Sequence, residues 1–449
     1  PENYGLFAIG MLVMTLSRFV SDIGFCWSLM QNQNITEDDI RFTFTWQLIL
    51  GSLTALSLFV FAPQIAAYFH EPRVESILRW LSLASVITAL TAPSTALLSR
   101  ALDFRWINII QVGSYAFGYL AIGVPLAFLG YGVWSLVAAW LSQALCALVC
   151  STARRPYPLK PLLWYAGAPA LWRYGLTVFL TNLCNGLMTN LDRIFLGRFL
   201  NAREVGLYVA GYNLAEAPNG LLVSSLQPVF FAAGARIQDD PARLRRAYLS
   251  LLATIWVLIA PAFVLLSFLA SQLVALLYGR GWELSGSVLA ILALGMPAYV
   301  TCAMSTPVLW NTGRKHYESL LQIPVLVLAA IALYAFAGKG AASAAAVVAC
   351  MQLLRATVIT TAACRRLGIG MRDLAPSAAR GALLSVVVAL GAYGGLSLGG
   401  MAGANTFGTL LSGATAGVGL LLAILLTFPF LLGEKVIHVL GQFRLRLQT

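Results

Sequence analysis

Apolar runs of about 20 residues recur along the chain, each closed by charge, glycine or proline, and an α-helix of that length crosses a hydrocarbon layer of ~30 Å. The punctuation predicts thirteen helices: A 5–30, B 41–68, C 76–99, D 106–128, E 133–152, F 174–197, G 205–233, H 247–278, I 285–312, J 317–337, K 341–364, L 378–399 and M 405–432. The pattern is that of an all-α, polytopic membrane protein. Connections are short except for 153–173, whose basic, aromatic and proline-rich residues predict an interfacial segment that hinges two lobes.

Composition agrees. Of 449 residues, 59% are hydrophobic and 10% charged, against about 25% charged in a soluble domain. The net charge of +12 does not point to a nucleic acid, because the basic residues sit in short clusters between apolar runs rather than on one face. Alternate loops divide Lys and Arg 20 to 6, and Arg18, Arg193 and Arg355 inside helices complete the 29. Cytoplasmic loops collect such residues, so the C-terminus and the 153–173 linker are expected in the cytoplasm and Pro1 outside.

An internal repeat is visible. YGLFAIG at 4–10 returns as VGLYVAG at 205–211, APQIAAYF at 62–69 as ASQLVALL at 270–277, and Ser94-Thr95 with Leu98 as Ser305-Thr306 with Leu309. Three echoes in one order, at offsets drifting from 201 to 211, pair helix A with G, B with H, C with I, D with J and E with K. Helix F then lacks a partner, and its counterpart is expected before Pro1. No signal-peptide pattern precedes Pro1, and the start reads as trimmed. The expected plan is an N-lobe over 1–152, a cytoplasmic interfacial linker over 153–173, a C-lobe over 174–372, and two extra helices with a tail over 373–449. Paired helices run the same way, so the six-helix lobes would be parallel repeats about an axis along the membrane normal.

Polar residues break the apolar pattern in four helices. Thr15, Arg18 and Asp22 share a face of helix A, and Asn213, Glu216, Asn219 and Gln227 form a stripe on G beside Pro218 and Gly220. Helix F adds Asn182, Asn185, Thr189 and Asp192, and helix K adds Gln352 and Arg355. A charge at the bilayer centre costs ~2.5–3.5 kcal/mol on insertion scales, so such residues are expected to face a cavity or a partner. Two plainer readings stand beside this one. Arg18 and Asp22, one turn apart, can neutralise each other, and Asp192 with Arg193 can anchor a helix end at the headgroups. Glu216 and Arg355 are expected to have no local partner on their own helices, which favours a functional role for both.

Chemistry is sparse. The seven cysteines (26, 146, 150, 184, 302, 350 and 364) lie in predicted spans without a CxxC pair, and read as packing residues. His70, His316 and His438 are scattered, and neither a GxxxxGK[ST] loop nor an HExxH motif occurs. No catalytic residue, metal or cofactor is expected. Tyr278-Gly279-Arg280-Gly281-Trp282 reads as a short outer turn with an interfacial aromatic.

GLFAIGMLVMTLSRFVSDIGF at 5–25, the EPR turn at 71–73, NLDRIFLGRFLNAREVGLYVAGYNLA at 190–215 and QDDPARLRRAYL at 238–249 resemble the Wzx-type polysaccharide exporters. The resemblance spans residues 1 to about 370 and is best with the colanic acid exporter-like subgroup of the multidrug, oligosaccharidyl-lipid and polysaccharide flippase superfamily. It implies a two-lobed bundle in the bacterial inner membrane that moves an undecaprenyl-diphosphate-linked oligosaccharide outward by alternating access, for exopolysaccharide or lipopolysaccharide synthesis. Expected partners are the lipid-linked oligosaccharide, membrane lipids and polysaccharide polymerase machinery. Arg18 and Arg355 then suit the diphosphate, and Asn182, Asn185, Asn213, Asn219 and Gln352 suit the sugars. Asp22, Glu216 and Asp192 suit charge balance or ion coupling. A cation-coupled drug exporter of the same superfamily is the first competing reading, separated by the sign of the cavity's charge. A membrane polymerase or ligase is the second, and would need a sizeable outer loop.

Overall fold

The computed structural model describes residues 2–21, 24–26, 29, 35–101, 103–236, 240–312, 315–433 and 436. Thirteen helices run through them: α1 Glu2–Ser21, α2 Glu37–Tyr68, α3 Arg73–Arg100, α4 Phe104–Phe128, α5 Val133–Arg154, α6 Ala168–Phe199, α7 Ala202–Arg236, α8 Pro241–Tyr278, α9 Glu283–Asn311, α10 Lys315–Phe336, α11 Ala341–Arg366, α12 Met371–Met401 and α13 Thr406–Thr427. Ten of them, α2–α5 and α8–α13, are long and apolar enough to cross a membrane. The chain is a polytopic α-helical membrane protein. Helix A is shorter than its apolar run: α1 ends at Ser21, and Gly24 takes a φ of +78°, a left-handed turn conformation that glycine adopts without a Cβ penalty.

Local chemistry sets several starts. Thr36 caps α2 in a reciprocal box with Asp39, and Asn405 caps α13 by accepting from the Gly408 N–H at 2.8 Å. Asp240 does the same for α8 through the Arg243 N–H at 3.0 Å, with Pro241 in the first turn. The turn at 278–282 stacks Tyr278 on Trp282 at 4.8 Å while Gly279 and Gly281 supply positive φ. A π-helical stretch, Phe117–Gly123, interrupts α4 where Gly118 and Gly123 press against Ala139 of α5.

Compactness divides the chain into two units, Pro1–Gly206 and Leu207–Thr449. In the first, α2 packs on α3, α3 on α5 and α4 on α5; in the second, α8 packs on α9, α9 on α11 and α10 on α11. Each pairing in one set is the repeat partner of a pairing in the other. Individual contacts agree. Gly10 of α1 lies against Ile77 of α3, and Gly211 of α7 against Val288 of α9. Ser94 and Ser305, equivalent in the echo, are both fully buried. Helix α6 packs on α1 and α2 in the first unit, so the compactness boundary falls later than the sequence-based lobe start at 174. Repeat boundaries and compactness boundaries are separate quantities: a helix is assigned to a unit by what it touches. In the second unit α12 and α13 pack together through Gly391, Gly395 and Gly399, whose missing side chains let the α13 backbone approach, and both rest on α8.

The linker is a strap without helix or strand over 156–165. Its backbone is tied to the first unit by Arg41 Nε donating to the Lys160 carbonyl at 3.2 Å and Trp46 Nε1 to that of Leu163 at 3.1 Å. The Leu162 N–H donates to Thr45 Oγ1 at 2.8 Å. Tyr165 donates to Asp39 inside a cluster of Phe25, Phe42, Trp46 and Trp172, while Leu159, Leu163 and Trp164 stay exposed.

Candidate functional site

A cavity of about 210 Å³ lies inside the second unit, where three helix faces converge. Val223 and Gln227 come from α7, one turn apart. Tyr299, Cys302, Ala303, Thr306 and Trp310 come from one face of α9, and Gln352 and Arg355 from α11. A proline inside α9 leaves one carbonyl in its wall open. Pro307 has no N–H to give the carbonyl four residues earlier, that of Ala303, and Gln227 Nε2 supplies the donor at 2.9 Å.

Two buried polar atoms here, Arg355 Nε and Gln352 Oε1, have no hydrogen-bond partner among the described residues. An unpaired buried polar group costs ~1–3 kcal/mol, and more when charged. Tyr299 lies within electrostatic reach of both Arg355 and Glu216, and so connects the cavity to the α7 stripe. Arg355 is the one charged side chain among the described lining residues, with the Glu216 carboxylate acting on Tyr299 from outside that lining.

The other sequence-derived residues fall in different settings. Asn219 is fully buried and donates to Glu216 Oε2 at 2.9 Å. Glu216 therefore has a partner on its own helix, contrary to the sequence expectation, because a neutral amide at i+3 spacing can donate to a carboxylate as well as a cation can. Asn213, on the same stripe, is exposed, because that stripe covers more of the helix circumference than one contact face. Asp192 is buried on α6 beside Asn190, which donates to the Gly186 carbonyl at 2.9 Å. Arg18 is exposed in the last turn of α1, and Thr15 donates to the Met11 carbonyl at 2.8 Å. Asp22 lies outside the described residues, as do the side chains of Asn182 and Asn185, whose backbone is helical in α6.

Tyr299 and Trp310 were not singled out in sequence, and Thr306 was named only as part of the repeat. Only the spacing of Tyr299, Thr306 and Trp310 along one helix, flanked by Pro297 and Pro307, was available as a signal. The first unit has a cavity of about 180 Å³ at the repeat-equivalent place, lined by Thr88, Thr91, Trp140, Gln143, Ala144 and Ala147. Thr88 and Thr91 match Tyr299 and Cys302 at the 211-residue offset, and Ala144 stands where the second unit has Arg355. The repeat is thus duplicated in packing and unequal in charge.

Solved structures share this all-helical membrane fold. The inward closed lipid II flippase MurJ aligns with a TM-score of 0.73 and 16% identity, covering 94% of this chain and 91% of its own. An inward-facing multidrug resistance MATE family transporter aligns at 0.62 and 16%, covering 82% and 90%. The polysaccharide biosynthesis protein family model matches residues 1–286, and the chain belongs to that family. Curated relatives include the succinoglycan biosynthesis transport protein ExoT of Rhizobium meliloti, 26% identical over 70% of this chain and 63% of its own length. The lipopolysaccharide biosynthesis protein WzxC of Escherichia coli is 26% identical over 65% and 59%. The teichuronic acid biosynthesis protein TuaB of Bacillus subtilis is 23% identical over 72% and 67%. The match thus covers less than two thirds of the length of the first two.

Proposed function

We propose that the protein is a flippase that moves an undecaprenyl-diphosphate-linked oligosaccharide from the cytoplasmic to the periplasmic leaflet of the bacterial inner membrane, by alternating access. The observation that carries this reading is the cavity lined by Arg355, where two buried groups, Arg355 Nε and Gln352 Oε1, are unsatisfied among the described residues. A diphosphate accepts from a guanidinium in charge-assisted, bidentate geometry. A sugar ring offers hydroxyls to Gln352 and Gln227 and an apolar face to Trp310. The positive sign of the lining favours an anionic lipid over a cationic drug. The relatives' names, which speak of succinoglycan, lipopolysaccharide and teichuronic acid, and the fold shared with a lipid II flippase support the same class.

In this reading Arg18 also meets the diphosphate, Asn182, Asn185, Asn213 and Asn219 meet the sugars, and Asp22, Glu216 and Asp192 balance charge or couple ion movement. The protein performs no covalent step, its C-terminus is cytoplasmic, and polysaccharide polymerase machinery receives the product. The test is complementation: the whole gene, expressed in a bacterium deprived of its own exporter, restores surface polysaccharide. No polysaccharide at normal membrane abundance, with altered drug resistance instead, rejects the flippase reading.

A further inference from the structure

Two grooves of nearly equal size, about 560 and 550 Å³, occupy the same place in the two repeats. One lies along α4 and α5 of the first unit, the other along α10 and α11 of the second. Their linings match at the 211-residue offset: Ile110 with Leu321, Cys146 with Thr357, Cys150 with Thr361, and Arg154 with Arg365.

The chemistry of the pair has diverged. In the first groove Arg154 is satisfied by protein, ion-paired to Asp103 at 3.4 Å and lying over the Trp106 ring at 4.7 Å, and the positions a turn and two turns before it are thiols. In the second the same two positions are hydroxyls. Thr361 and Arg365, one turn apart on α11, point into the groove, and no ion pair holds Arg365 among the described residues. Asp373, eight residues on, is engaged by Arg245 at 2.7 Å. The Thr357 hydroxyl donates to its own helix, to the Leu354 carbonyl at 2.7 Å, so its oxygen is left as an acceptor. Leu321 and Val358 supply an apolar wall.

We propose that the α10–α11 groove is a binding site for an anionic phospholipid, with Arg365 and the Thr361 hydroxyl donating to the headgroup phosphate and Leu321 and Val358 against the acyl chains. A cation at a helix end, exposed and unneutralised above an apolar wall, is the arrangement that holds an anionic headgroup between membrane helices. The first groove, its arginine spent on Asp103, keeps the shape without the anion site. The inference concerns lipid and not cargo, and holds whether or not the transported substrate is the one proposed above.

The experiment is native mass spectrometry of the full chain with phosphatidylglycerol and phosphatidylcholine. Wild-type protein is expected to retain phosphatidylglycerol preferentially. Arg365→Gln with Arg366→Gln lowers that retention by about thirtyfold, as expected for two basic residues near a lipid surface, while Arg154→Gln leaves it unchanged. Thr361→Cys, which restores the first unit's residue and keeps every charge, lowers it by a smaller factor and carries the test if the double variant does not fold. Millimolar inorganic phosphate leaves the lipid in place. Equal retention of the two lipids, retention unaffected by both variants, an equal loss in Arg154→Gln, or displacement by inorganic phosphate alone overturns the assignment.

Discussion

Gln227 Nε2 of α7 donates to the Ala303 carbonyl of α9 at 2.9 Å, filling the hydrogen bond that Pro307 cannot make. The two helices are thereby joined at a point where α9 alone would leave an acceptor bare in the cavity wall. Gln227→Leu should lower the unfolding free energy by about 1–3 kcal/mol, the cost of an unpaired buried acceptor. Pro307→Ala restores an N–H at that position, so most of the loss should vanish in the double variant. Thermal unfolding of the four proteins in detergent measures the coupling, and strict additivity would refute it.

Arg355 should be costly to stability and essential to transport. Arg355→Ala is expected to abolish export, and Arg355→Lys to restore only part of it, because an ammonium lacks the bidentate fork. In detergent Arg355→Leu should unfold no earlier than wild type, since it removes a buried Nε donor that has no hydrogen-bond partner among the described residues. Export at wild-type level with Ala at 355 would take this residue out of substrate binding.

A Cβ at Gly295 would come within 2.7 Å of Gln352 Oε1 and 3.1 Å of the Ala349 backbone. Gly295→Ala should therefore push the amide out of the cavity and cost ~1–3 kcal/mol through overpacking of α9 on α11. Export is expected to fall even in the fraction that reaches the membrane. Shortening Gln352 to Ser in the same protein should recover stability and not transport, which separates the two effects.

The strap is held by the Tyr165 phenol, whose proton is retained above the ordinary tyrosine range by burial first and by the hydrogen bond to Asp39 second. The native state prefers the neutral form, so this contribution is whole below the ordinary value of about 10 and is lost as pH rises above it. Limited proteolysis at 156–165 should accelerate in Tyr165→Phe at neutral pH, and in wild type only at strongly alkaline pH. Equal cleavage rates for both proteins would show the contact to be idle.

Orientation rests on the basic asymmetry of the loops. In a protein with its native cysteines replaced, Lys160→Cys should resist an impermeant thiol reagent in intact cells and react once the membrane is opened. Ready labelling from outside would invert the topology.

The thirteen helices were legible in the chain because span length and punctuation are local quantities: an apolar run of the right length has no other stable form in lipid. The repeat was legible too, since residues such as Gly10 and Gly211, or Ser94 and Ser305, are constrained by equivalent close contacts and leave an imprint at a steady offset. Gln352 and Arg355 could be found as polar residues out of place, but not the cavity that receives them, which needs the faces of α7 and α9. Tyr299 and Trp310 look like ordinary span and interface aromatics until α11 is set against them. The Glu216–Asn219 pair and the exposure of Asn213 depend on which way α7 is turned, and helical spacing places residues on a common face without saying what that face meets. The same limit applies to Arg154 and Arg365, identical in type and repeat position. Only packing assigns Asp103 and Trp106 to the first and an open groove to the second, because satisfaction of a charge is decided by neighbours distant in sequence.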